Sequence, residues 1–288
     1  MTTRPPRIVD AHVHLWDPAH TDWYPYLAGQ MEIGMGDVKG MARRFDLATY
    51  REEAAGWNVE KLVNVAAATG RHSLDETLEM ERRAEVDGHP DALIGGLWPT
   101  PTVADSIEGI EQQMVASRLR GVRPMGAFEG PLPDGEVLRA LQERGLVFEI
   151  LARPDQLAAA AHGLAEHEEL VVVVEHVGWP RSTSDEERVL WQAGIDALAA
   201  VGPNVHCKLS GLAMPVGSMD ARAFAPWLEP VIERFGVDRC FFASNFPVDG
   251  LHGTLDALWS AYAEVTAGLD DDAREKLFAT NAEHVYRC

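Results

Sequence analysis

The chain has 288 residues, 46% of them hydrophobic, which is enough to bury a large core, and a single domain of this size is common among α/β barrels. Its 45 acidic and 25 basic residues give a formal charge of −20, which argues against nucleic acid or anionic membrane as partners, because both need a basic footprint. No run reaches the roughly 18 uninterrupted apolar residues of a spanning helix, and Cys207, Cys240 and Cys288 are too few and too scattered for a disulfide framework, so a reducing cytoplasm is expected.

Taken in chain order, apolar and β-branched runs predict strands near 7–14, 61–67, 92–98, 119–125, 146–151, 171–176, 204–209 and 239–244. Helical spacing falls between them at 46–60, 74–86, 103–118, 135–144, 156–168, 185–201 and 220–235, often opening on Ser, Thr or Asp and closing near Gly. Two more helices, 254–269 and 271–286, follow the last strand. Strand then helix, eight times over, predicts an α/β fold: a parallel sheet closed into a (β/α)8 TIM barrel with an extra C-terminal helix. No linker or low-complexity stretch divides the chain, so one domain over 1–288 is expected.

The longest aperiodic segment, 15–44, follows the first strand and carries Trp16, Trp23, Tyr24, Tyr26, Met31, Met35 and Met41. An excursion after a barrel strand sits over the carboxyl-end face, so this segment reads as a lid or pocket wall, with Trp16 and Tyr24 as candidate substrate contacts. An equally simple reading has these aromatics and methionines packing the barrel's shoulder.

Polar residues gather where the strands end. The first strand closes on His12 and His14, spaced i and i+2, so both rings project to one side of a stiff element, as ligands to one divalent metal do. The fourth ends near Arg123, the fifth carries Glu149, the sixth ends in His176, the seventh near Lys208 and the eighth in Asn245. Polar groups at the tips of so many apolar strands are costly unless they serve a site.

The opening Val-Asp-Ala-His-Val-His-Leu-Trp-Asp-Pro, the Glu-His-Val-Gly-Trp-Pro at 175–180, the Lys-Leu-Ser-Gly-Leu at 208–212, the Ala-Ser-Asn-Phe-Pro-Val at 243–248 and the Asn-Ala-Glu-His-Val-Tyr at 281–286 resemble the amidohydrolase superfamily. Within it they are similar to the branch of sugar lactonases and pyrone-dicarboxylate lactonases. That resemblance implies a barrel that hydrolyses lactones, amides or related carbonyl compounds, commonly with a metal on strand-end residues, although the branch includes members that work without one. Carried over by position, His12 and His14 match the first-strand pair and His176 the sixth-strand histidine, a metal set of three for which zinc is the expected ion; a metal-free mechanism stays open.

Two departures from that pattern matter. The fifth strand holds Glu149 where the superfamily has a histidine, and the eighth ends in Asn245 where it has an aspartate. An amide orients partners through its oxygen but takes up no proton at neutral pH, so another group must serve as base. His176, Glu149 and Asp249 are the candidates, and Asp10 is expected to orient a histidine from deeper in the barrel. Arg123 and Lys208 are the expected carbonyl or carboxylate anchors, and ion pairing with Glu149 or Glu175 is the alternative for each. The predicted function is hydrolytic opening of a lactone or similar cyclic carbonyl compound. Alternatives are decarboxylation, hydration or isomerisation on the same barrel, or a catalytically silent binding barrel. A small carbonyl substrate is the expected partner, and a homo-oligomer is left open.

Overall fold

In a computed structural model, residues 4–31, 37–126 and 130–288 are described; Met35 of the long loop lies outside them. Eight strands, β1 (Ile8–Val13), β2 (Val59–Val65), β3 (Ala92–Leu97), β4 (Leu119–Pro124), β5 (Val147–Ile150), β6 (Val172–Val174), β7 (Val205–Leu209) and β8 (Cys240–Phe242), pair in chain order and all in parallel. Most are buried on both faces, as strands covered outside by helices must be, and this is why they read as continuous β-branched runs. The ring comes close to closing beyond β8, where the N–H of Asn245 donates to the His12 carbonyl and that of His14 to the Phe246 carbonyl, each at 2.8 Å. The expected (β/α)8 barrel is therefore the fold.

Around it lie α1 (Leu47–Glu53), α2 (His72–Asp87), α3 (Val103–Gln113), α4 (Gly135–Glu143), α5 (Pro154–Leu164), α6 (Asp185–Val201), α7 (Ala213–Val216), α8 (Ala221–Phe235), α9 (Leu255–Val265), α10 (Asp271–Glu275) and α11 (Asn281–Tyr286). Side chains of Asp46, Thr102, Ser184, Thr254 and Asp270 accept first-turn N–H groups, each cap contributing about 1 kcal/mol. Helix α1 ends well before the expected residue 60, because Val59 already pairs with Ile8 in the sheet. The helix expected over 271–286 forms, with a wider π-helical turn at Lys276–Thr280 between α10 and α11 whose Leu277, Phe278 and Ala279 are buried. Strand β6 stops at Val174 rather than at 176, because the chain then turns left-handed through His176 (φ 53°), Val177 (φ 50°) and Trp179 (φ 46°). Among the described residues no helix is long and apolar enough to cross a membrane.

Two apolar layers result. Val9, Ala11, Val63, Val65, Ile94, Val147, Val173 and Phe241 fill the barrel together with Ala282, Val285 and Tyr286 of α11, while a larger layer packs strands against helices. Inside the barrel sits an ion pair. The Lys208 ammonium of β7, with no solvent exposure, donates to both carboxylate oxygens of Glu149 on β5 at 2.9 and 2.8 Å, and the Tyr286 hydroxyl donates to the same carboxylate at 2.5 Å. Removing one partner of such a pair strands a charge in a dry interior. Lys208→Met is expected to lower the unfolding free energy by about 3–5 kcal/mol in urea denaturation, with part of the loss recovered by adding Glu149→Gln. A loss below about 1 kcal/mol would contradict the pairing described.

Candidate active site

At the carboxyl ends of the strands, His12, His14, Arg123, Glu175, His176 and Asn245 meet in one neighbourhood, all under a tenth exposed. The ring centroids of His12 and His14 are 4.8 Å apart and those of His12 and His176 4.7 Å. Pairing of β1 with β2 shifts register between Asp10 and Val13. On the far side of that shift His12 turns inward to Lys208 and Glu175, whereas Asp10 turns to Tyr50 of α1.

Proton positions in the histidine pair follow from the fixed donors and acceptors around it. The His14 Nδ1 lies 2.7 Å from the Val65 carbonyl, which only accepts, so the ring proton is there and Nε2 carries the lone pair. The Lys208 ammonium, a donor only, faces His12 Nδ1 at 3.3 Å. His12 therefore keeps its proton on Nε2 and donates it to His14 Nε2 at 3.1 Å. His176 Nδ1 meets the Ser210 hydroxyl at 2.9 Å. Burial first, then the nearby cations, hold all three rings neutral: His14 falls to about 3, and His12 and His176 fall well below the usual histidine range.

Glu175 completes the cluster. Its Oε2 lies 3.0 Å from Arg123 Nη2 and 3.7 Å from His176 Nε2, and Oε1 lies 4.0 Å from His12 Nδ1, yet neither oxygen closes a hydrogen bond of ordinary alignment. Burial, reinforced by Glu149, raises its pKa, while Arg123 and Lys208 oppose the rise. Donor atoms of His12, Glu175 and His176 lie within 4.8 Å of one another. The neutral His12 and His176 rings and the under-bonded Glu175 carboxylate fit a divalent ion such as zinc, and the His14 lone pair faces His12 beside them. The His12–His14 nitrogen spacing is also close to the roughly 3.3 Å between two ligands of a tetrahedral zinc. To bind through Nε2, His12 would move its proton to Nδ1 and give up accepting from Lys208.

The remaining sequence expectations sort by what each side chain is already bonded to. Lys208 and Glu149 neutralise each other below the mouth, so neither is free to polarise a carbonyl or bind substrate. Tyr24 spends its hydroxyl on Glu76 at 2.8 Å and is 1% exposed, so it anchors the long loop instead of contacting substrate. Tyr26 does likewise on the Ala67 carbonyl at 3.0 Å. Trp16 is buried and stacks on His14 at 5.6 Å, which makes it the wall behind that ring. Asp10 holds backbone rather than a ring, accepting from the N–H of Ser244 at 2.8 Å and of His12 at 3.3 Å. Asp249 lies fully buried behind Asn245 and takes its amide proton at 3.0 Å. Arg123 stays at the mouth, its Nε without a hydrogen-bond partner. The sequence alone gives Glu175 no site role beyond an ion pair and passes over Ser210 and Glu76; only the place of Glu175 next to the strand-end His176 signals the first.

Comparison with known proteins adds family context. A family model described as Amidohydrolase matches residues 9–288. The uncharacterized protein y4mH of Sinorhizobium fredii is 29% identical over 297 residues, covering 97% of this chain and 98% of that one. The L-fucono-1,5-lactonase of Burkholderia ambifaria is 28% identical over 294 residues, covering 97% and 95%. Among solved structures, an amidohydrolase from Burkholderia multivorans crystallised with bound zinc shares the fold, with a TM-score of 0.78 at 24% identity and coverage of 97% of this chain and 99% of its own.

One glycine sets the depth of the histidine cluster. Gly211 has φ +70°, and a Cβ there would stand 2.6–2.7 Å from Cγ, Cβ and Nδ1 of His176. Gly211→Ala is expected to cost at least about 2 kcal/mol, from the left-handed backbone and the clash together, in chemical denaturation. A change below about 0.5 kcal/mol would show that His176 is not held against this glycine.

Proposed function

The chain belongs to the amidohydrolase family, and from that premise we propose that it hydrolyses a lactone, a small cyclic ester of the sugar-acid type, at the barrel mouth. The observation that carries this reading is the pairing of a neutral, buried His176 with the incompletely bonded Arg123 across Glu175. Similarity to a fucono-lactonase along nearly the whole chain supports the substrate class.

Arg123 offers the lactone carbonyl an oriented donor, and its charge stabilises the oxyanion that forms when water adds. The acceptor for the water proton is His176, a neutral ring whose Nδ1 is bonded to the Ser210 hydroxyl and whose Nε2 lies on the side of Glu175. The new C–O bond to water forms, the ring C–O bond breaks, and the proton on His176 passes to the departing alkoxide. The product is a hydroxy acid, ionised at neutral pH, beside Arg123. Asn245 takes no proton and works by orientation. A divalent ion held by His12, Glu175 and His176 would when bound supply Lewis acidity and lower the pKa of water, and would occupy the His176 lone pair, so the proton uptake by His176 belongs to the site without the ion.

Acid release from L-fucono-1,5-lactone and L-rhamnono-γ-lactone, followed at constant neutral pH, tests the proposal. The wild-type protein should accelerate opening of at least one, His176→Asn should lower kcat about 100-fold or more, and Arg123→Met should lower kcat/KM by at least about tenfold. Unaltered turnover in His176→Asn, or no acid release from a broader panel of γ- and δ-lactones, would overturn it.

A further inference from the structure

Asn245 stands at the end of β8 with φ 55°, a left-handed conformation that Asn tolerates better than most residues, and is 4% exposed. Its Nδ2 donates to Asp249 Oδ1 at 3.0 Å. An ionised carboxylate only accepts, so this contact decides which end of the amide points where: the nitrogen goes back to Asp249, and the oxygen faces His14. His14 has already committed its ring proton to Val65 and has none to give the amide.

We propose that Asp249 is a positioning residue for this site, holding the Asn245 amide with its oxygen turned into the mouth, where that oxygen accepts a hydrogen bond from the attacking water or a substrate hydroxyl. The inference rests on the hydrolytic reading above and assigns a role to the residue that stands in place of the superfamily's eighth-strand carboxylate. Asp249 acts only through Asn245. It has no solvent exposure and sits behind the mouth, between Tyr262 of α9 and the segment after β7. That segment faces it with the backbone N–H groups of Gly211 and Ala213, although Oδ2 closes no hydrogen bond of ordinary geometry. Removing Asp249 therefore takes away no atom that touches substrate.

The arrangement is sensitive to pH in one direction. Burial pushes the Asp249 carboxyl up to about 7, against the Asn245 and backbone hydrogen bonds that favour its ionised form. Tyr262 is the titratable side chain facing it from α9, and Asp10 of β1 lies beyond that ring; Asn245 and the backbone after β7 contribute no charge. Once protonated, the acid can donate to the amide oxygen, and the constraint on the amide is lost below about pH 7.

Kinetics on L-fucono-1,5-lactone and amide NMR decide the matter together. Asp249→Asn should lower kcat at least tenfold with KM changed less than threefold, and should abolish the fall in kcat that the wild type shows below about pH 7. The exchanged pair Asn245→Asp with Asp249→Asn keeps one N–H donor and one carboxylate in the same contact, with an oxygen still facing the mouth, and should recover most of the loss. In 15N-labelled protein, the Asn245 side-chain amide, assigned by its disappearance in Asn245→Asp, should be exchange-protected at pH 8 and lose that protection in Asp249→Leu. Wild-type kcat in Asp249→Asn, or no recovery in the exchanged pair, would overturn the proposal. If the wild type opens no lactone, the hydrolytic reading fails by itself, and the amide signal still decides the positioning role: protection unchanged in Asp249→Leu would refute it.

Discussion

The site depends on where a buried ammonium can put its protons. Lys208 has no access to water, and a lysine held that way must be met by acceptors or lose its charge. Glu149 meets it with both oxygens and Tyr286 steadies that carboxylate from below, so Lys208 has its remaining donor for His12. From there each assignment forces the next: His12 must accept at Nδ1, hence donate from Nε2, and His14 must accept at Nε2 and give its proton to Val65. A relay of fixed polarity thus runs up the barrel axis from the C-terminal helix to the mouth. It also ties any use of the His12 Nε2 lone pair to a change of tautomer, because that nitrogen carries the ring proton.

Backbone geometry completes what the relay begins. Two strands deliver their functional tips through left-handed residues, His176 and Val177 after β6 and Asn245 after β8. Each such residue costs on the order of 1–2 kcal/mol, more for the β-branched Val177, and such conformations persist only where the surroundings over-determine them. Here Ser210 bonds the His176 ring, Gly211 leaves room for it, and the Val177 carbonyl accepts from Trp191 at 2.6 Å. Close approach of β7 and β6 at the mouth is therefore written into the Lys-Leu-Ser-Gly run: the lysine faces into the barrel, the serine faces the histidine, and the glycine makes space.

Much of the fold was legible because a parallel barrel makes a simple demand on sequence. Strands buried on both faces need unbroken apolar runs, and the eight that were read became the eight that pair. Boundaries failed where tertiary geometry overrode local pattern, as at Val59, where sheet pairing cuts the helix short, and at His176, where the strand gives way to a left-handed turn. The histidines were legible from spacing and position. Orientation was not. Asp10 was expected to orient a histidine ring, and beyond a register shift of β1 it bonds backbone and Tyr50 instead. Lys208 and Tyr24 were expected at the mouth, but the partners that hold them away, Glu149 and Glu76, come from other elements, and no local pattern announces such a pairing. Glu175 was visible as a neighbour of His176, yet its incompletely bonded oxygens exist only once Arg123 and His12 have been brought around it.

The proposed hydrolysis takes place among His176, Arg123 and Asn245 at the barrel mouth. A crystal structure of the wild-type protein soaked with L-fuconate, the hydroxy acid that opening of the relative's fucono-lactone would release, addresses it directly. The carboxylate of that acid is expected within hydrogen-bonding distance of Arg123 and His176, with a hydroxyl donating to the Asn245 oxygen. Density for the acid only in the outer groove between α1 and α2, lined by Arg51 and Arg83, with the mouth holding no ligand, would contradict it.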